Sequence, residues 1–163
     1  MTETTPQTTP QTARKTVYGG FTIERTFTAS PARVFRAFAE ASEKAQWFGW
    51  TDEWEPLEVS LDFRVGGEEV AHGKHVSGMV SEMWAQYQDI VPDERIVWTY
   101  RMALNGTPIS ASLASIELSL DGNGTRMVFT EQDAFLDDFE DNGGREQGTN
   151  QILDALDAYL ERS

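Results

Sequence analysis

The segment GTNQILDALDAYLERS, residues 148–163, constrains the fold more than any other. At a helical step of about 100° per residue, Ala155, Tyr159, Ile152, Leu156, Leu160 and Leu153 fall within an arc of about 160°. Gln151, Asp154, Asp157 and Glu161 lie opposite. A helix with so broad an apolar face needs a broad apolar partner, and a sheet is the natural one.

The preceding chain reads mostly as strands. In FTIERTF, Phe21, Ile23 and Phe27 share one face, with Thr22, Glu24 and Thr26 on the other. LEVSLDF places Leu57, Val59, Leu61 and Phe63 on one side, RIVWTYRM places Ile96, Trp98, Tyr100 and Met102, and ASIELSL places Ala114, Ile116, Leu118 and Leu120. TRMVFTEQ reads as the strand returning from a hairpin at Asp121-Gly122-Asn123-Gly124. Two strands are expected within residues 68–90, with no clear turn between them. Ser30-Pro31 supplies an N-cap and a first-turn proline for a short helix edged by Val34, Phe35 and Phe38. Ser42 is a candidate cap for a second. The order is strand, two short helices, about six strands and a long helix. Hairpin-type connections make this an antiparallel α+β fold.

Length and composition bound the function. The chain of 163 residues fits one domain, expected over residues 17–163. MTETTPQTTPQTARK is rich in Thr, Gln and Pro and nearly free of apolar side chains, so residues 1–16 read as a disordered tail. A net charge of −14 argues against nucleic acid and anionic lipid as partners. With no cysteine, thiolate metal sites and a Cys nucleophile are excluded. There is no apolar run of membrane-spanning length and no signal-peptide core, so a cytoplasmic monomer or homodimer is the expectation. Asn105-Gly106-Thr107 and Asn123-Gly124-Thr125 read as Asn-Gly turns rather than glycosylation sites.

Catalytic motifs are scarce. No P-loop, dinucleotide fingerprint or serine-hydrolase elbow occurs, and no cofactor is expected. His72 and His75, the two histidines, point to opposite faces if both lie in a strand, so no metal site is expected of them. Asp133, Asp137, Asp138, Glu140 and Asp141 lack the spacing of a calcium loop and read as a solvated acidic stretch. Glu131 shares a face with Met127 and Phe129 by period two. There desolvation would raise its pKa toward the acid–base range, although a strand end favours solvent. Arg25 and Arg101 are candidate partners for such an acid.

QWFGW, residues 46–50, concentrates Trp47, Phe48 and Trp50, with Trp54 close behind. Trp84, Trp98, Tyr100, Met79, Met83, Met102 and Phe129 add to the excess. Indoles give flat stacking walls and Met adapts to irregular shapes, so these residues either fill a core or wall a cavity.

ERTFTASPARVFRAF with WFG, FRVGGE, YQDIVPDERIVWTY, GNGTRMVFTE and GTNQILDALDAYL resemble, in that order, the bacterial branch of the START/Bet v 1-like superfamily. The nearest group is named after the C-terminal domain of the Hsp90 ATPase activator. The resemblance spans about residues 20–161. It implies a helix-grip fold, a curved antiparallel sheet around a long C-terminal helix with an apolar cavity between them. Gly148-Thr149 departs from the Gly-Trp frequent in that group, which either widens the opening or leaves space for Trp50.

Binding of a small hydrophobic or aromatic molecule follows, with Trp47, Phe48, Trp50, Trp54, Met83, Trp98, Tyr100, Phe129 and Glu131 as site residues. The alternatives are a cyclase- or dehydratase-like enzyme using the same cavity, with Glu131, His72, His75 and Tyr100 as candidate groups, and an Hsp90-type chaperone partner. If Trp47 seals the core and Trp50 faces the cavity, Trp47→Ala costs about 3 kcal/mol or more and Trp50→Ala less than about 1.5 kcal/mol. Chemical denaturation of the two variants measures the contrast.

Overall fold

A computed structural model describes residues 13–49 and 51–163. The expected tail through residue 12, and Trp50, lie outside the described residues. Among the described residues, seven strands and three helices follow in chain order. These are β1 (Thr16–Phe27), α1 (Pro31–Ala39), α2 (Ala41–Lys44), β2 (Trp54–Leu61), β3 (Glu68–His75), β4 (Val80–Val91), β5 (Arg95–Leu104), β6 (Thr107–Asp121), β7 (Gly124–Leu136) and α3 (Gly144–Arg162). The strands form one antiparallel sheet in the order β1-β7-β6-β5-β4-β3-β2. The α+β helix-grip architecture expected from the sequence is the one observed.

Local chemistry explains most boundaries. Ser30 Oγ accepts from Arg33 N at 3.2 Å, and Pro31 opens α1, as the sequence indicated. Ser42 does not cap α2. It lies inside the helix, whose N-cap is Glu40 and which lacks a side-chain cap bond. The unplaced turn between β3 and β4 falls after His75, where Gly78 takes φ +92°, a conformation that suits a residue without Cβ. Asn105 and Gly106 both have positive φ, the signature of the tight hairpin expected there. β1 begins at Thr16, and the chain is already tied down just before it: the Lys15 carbonyl accepts from Asp137 N at 2.9 Å, and Arg14 pairs with Asp137 at 2.7 Å.

The core lies between the sheet and the helices. Ile23, Phe27, Ile96, Ile116, Met127 and Phe129 from the strands meet Leu153, Leu156 and Leu160 of α3 and Val34 and Phe38 of α1. The apolar arc of α3 is therefore the buried one. The helix starts at Gly144, one turn before the periodic segment, and Asp141 Oδ1 accepts from Arg145 N at 2.8 Å in its first turn. Arg25 of β1 ties down the outer side of α3, bonding Asp154 at 2.7 Å and the Asn150 side chain at 3.0 Å. Along β2 the alternation fails. A register shift between Pro56 and Glu58 interrupts the pattern, and Leu57 and Val59 are each 53% exposed on this edge strand. Leu120 is likewise exposed, at the end of β6.

Leu156 is fully buried at the centre of the α3 face. Leu156→Ala is expected to cost about 2–5 kcal/mol, read from urea unfolding. A cost below about 1 kcal/mol would contradict the grip of sheet on helix.

Candidate functional site

Alternation across the antiparallel register turns one set of side chains toward α3. From β3 these are Glu69 and Ala71; from β4, Ser81, Met83 and Tyr87; from β5, Ile96, Trp98, Tyr100 and Met102; from β7, Phe129 and Glu131. Together with α3 and the α2–β2 segment they surround a pocket of about 590 Å³. Gly148, Thr149 and Ile152 contribute from the helix, and Phe48, Gly49, Thr51 and Trp54 from the connecting segment.

The residues singled out from the sequence converge here. Phe48, Trp54, Met83, Trp98, Tyr100, Phe129 and Glu131 all line the pocket, with Met102 beside them. Trp47 touches it from a sealed position. It is 4% exposed, stacks edge-on against Phe38 at 4.9 Å and donates its indole N–H to the Ala37 carbonyl at 3.1 Å. Its hydrogen bond and close packing make it a plug as well as a wall. Trp84 sits on the opposite face of the sheet, between the His72 ring, 4.7 Å away, and the Arg101 guanidinium, 3.8 Å away. His75 packs against Trp54 at 5.1 Å on the pocket side, so the two histidines diverge as period two requires.

Glu131 is not exposed to bulk solvent. It is 2% exposed, and Asp133, expected in a solvated loop, is 4% exposed on the same strand. Both face Arg145 in the first turn of α3, rather than Arg25 or Arg101. Arg145 Nη1 lies 2.9 Å from the Tyr100 hydroxyl, 3.1 Å from Ser112 Oγ, 3.3 Å from Asp133 Oδ1 and 3.5 Å from Glu131 Oε1. Its Nη2 donates to Ser110 Oγ at 2.7 Å. Tyr100 donates to Glu131 Oε1 at 2.5 Å, and Ser112 to Asp133 Oδ1 at 2.6 Å. Two buried carboxyls against one guanidinium leave an excess of negative charge, which protonation of one acid removes. Burial pushes Glu131 up to about 8; the neighbouring Asp133 adds to the shift, while Tyr100 and Arg145 oppose it. Burial, together with Glu131, also raises the Tyr100 phenol above its usual range.

A second polar group lies across the sheet. Lys44 at the end of α2 pairs with Glu69 at 2.7 Å, and the Tyr87 hydroxyl donates to Glu69 at 2.6 Å. Lys44 also stands over the Phe48 ring, 4.6 Å from its centre. Glu69 and Tyr100 share a register row, with Ala85 between them. Strand spacing sets them about 10 Å apart.

Arg145, Lys44, Glu69 and Tyr87 were not found by sequence reasoning. A signal existed for Arg145, which continues the Thr149–Leu153–Leu156 stripe one helical turn toward the N-terminus. For the Lys44–Glu69 pair, no local pattern joins residues on different elements.

A sheet gripping its C-terminal helix around a pocket with apolar walls and a polar group at either end defines a helix-grip protein of the START/Bet v 1-like kind. Residues 28–161 match the family described as activator of Hsp90 ATPase homolog 1-like protein, and the chain belongs to that family. No curated protein matches the sequence. Among solved structures, a protein from Rhizobium leguminosarum is 45% identical, with TM-score 0.90 over 93% of this chain and 100% of its own. The Mll3558 protein of Rhizobium loti is 47% identical, with TM-score 0.83 over 89% of this chain and 99% of its own. The CV1439 protein of Chromobacterium violaceum, at 24% identity and TM-score 0.73 over 87% of this chain and 96% of its own, shares the fold.

The raised pKa of Glu131 carries a pH signature. In the folded protein this carboxyl holds its proton to about pH 8, whereas in the unfolded chain it releases it near the ordinary value of 4.5. Its contribution is fully present below pH 4.5 and is lost as pH rises through 8. Stability is expected to decline across that window by up to about 1.4 kcal/mol per pH unit from this group. Glu131→Gln flattens that slope, as urea unfolding from pH 5 to 8.5 will measure.

Proposed function

We propose that the protein binds a small hydrophobic or aromatic molecule in the pocket between sheet and α3. The observation that carries this reading is the composition of the walls. Phe48, Trp54, Met83, Trp98, Met102 and Phe129 turn aromatic and thioether surface toward one space of about 590 Å³. That volume suits a ligand of two or three fused rings. Apolar surface held against water is unfavourable by roughly 25 cal/mol per Å², and a fitting ligand relieves that cost.

The polar end supports a second reading, an enzyme of the cyclase or dehydratase kind. A carboxyl with its pKa near 8, hydrogen-bonded to a phenol, is placed to move a proton on a bound substrate.

Native mass spectrometry of protein purified from its own host is the direct test, with a retained small molecule as the expected result. Incubating that molecule with fresh protein separates the readings: an unchanged mass means binding and a new product means catalysis. In vitro, the neutral dye 6-propionyl-2-dimethylaminonaphthalene is expected to bind one per chain with a rise in fluorescence. Met102→Trp fills part of the space and is expected to weaken the dye about tenfold without lowering the melting temperature. If no apolar compound binds, the reading fails.

A further inference from the structure

The two sides of the pocket are built differently. On the sheet side, β4, β5 and β7 turn Met83, Trp98, Tyr100, Met102 and Phe129 into the space. Along α3, Gly148, Gln151, Ile152 and Ala155 line it. Their spacing, i, i+3, i+4 and i+7, is that of one stripe on a helix. Ile152 fills its turn of the stripe. Gly148, one turn earlier and half-buried, leaves its own turn bare.

The fold itself has no need of glycine at this position. Gly143, just before the helix, takes φ +78°, a conformation that favours glycine; Gly148 is not among the glycines with positive φ. Close approach is not the reason either. A Cβ placed on Gly148 would meet no neighbouring group within 4 Å, whereas one on Gly20 would stand 2.7 Å from the Glu131 carbonyl oxygen. Thr149, the next residue, turns its hydroxyl back to the Arg145 carbonyl at 2.9 Å and so keeps to the helix. Glycine weakens a helix interior relative to alanine. Here that weakening secures neither a turn nor a contact. What it leaves is room inside the pocket, against exposed helix backbone.

Resting on the binding reading above, we propose that Gly148 sets the width of the pocket, and that the ligand is an apolar planar system of about three fused rings lying against the α3 backbone at that point. A peptide backbone without a Cβ admits a flat ring where any side chain would hold it off. A ligand of one ring is too narrow to reach this turn of the helix.

Butylbenzene, 2-ethylnaphthalene and phenanthrene form a series of rising width. Each is set to displace the neutral dye, with the affinity of the dye measured separately for every variant. The wild-type protein is expected to bind phenanthrene most tightly and butylbenzene least. Gly148→Ala adds one methyl group on the pocket side. It is expected to weaken phenanthrene about tenfold, the scale of one misfit methyl group in an apolar pocket. 2-Ethylnaphthalene should weaken less, and butylbenzene should be unchanged. The same substitution is expected to raise the melting temperature of the unliganded protein by about 2–4 °C, because alanine suits a helix better and meets no neighbour here. Gly148→Leu is expected to exclude phenanthrene and still admit butylbenzene; if it does not fold, the Ala variant decides. A fall in melting temperature for Gly148→Ala would show that the glycine serves the fold, and overturns the assignment. Equal weakening of all three compounds, no change in any, or a wild-type preference for butylbenzene also overturns it, and each leaves the binding reading intact. Failure of the dye and of all three hydrocarbons to bind the wild-type protein overturns both.

Discussion

A single guanidinium holds the functional end of this molecule together. Arg145, in the first turn of α3, reaches Tyr100 on β5, Ser110 and Ser112 on β6, and Glu131 and Asp133 on β7. Three strands are thereby referred to one helix terminus. Removing it would leave this buried acidic pair without its guanidinium, and taking one partner from a buried ion pair costs several kcal/mol. The placement of α3 and the chemistry of the pocket end are therefore one problem with one solution. The Asp141 side chain, accepting the Arg145 backbone N–H, fixes the base of that arm.

The Lys44–Glu69–Tyr87 group does a related job at the other end of the register row. It joins α2 to β3 and β4, the half of the sheet far from β7. Between the two polar groups the floor is small and apolar, with Ala85 at the crossing point. Polar groups fasten both ends of this row, while Met83, Trp98 and Met102 wall the space beside it. A sheet packed throughout with large residues would have closed the space.

Much of the fold was legible because it is written in local periods. Phe21, Ile23 and Phe27 alternate, the Leu153–Leu156–Leu160 stripe repeats helically, and the Asn-Gly turns carry their own signature. Of the site, the aromatic and Met walls were legible for the same reason, since period two fixes which face Trp98, Tyr100 and Met102 share. Burial of Glu131 was not. Whether a strand end is wet depends on what covers it, and the cover is Arg145, which sits in a Gly-rich stretch that reads as loop. Pairs such as Lys44 with Glu69 are joined by tertiary packing alone. Leu57 and Val59 mislead in the other direction: they alternate like core residues, yet a register shift on an edge strand leaves them exposed.

The strand order has a temporal consequence. β1 is made first, yet its neighbour in the sheet is β7, with Thr16 opposite Leu136. On the ribosome the N-terminal strand must wait, unpaired, while nearly the whole sheet is synthesised. The hairpins from β2 to β7 can zip in order as they emerge; β1 cannot join them until the last of these strands is out, and α3, made after it, then closes over the assembled face. Such non-local closure slows folding. The polar Thr22, Glu24 and Thr26 alternating along β1 suit a strand that spends its first seconds with no partner.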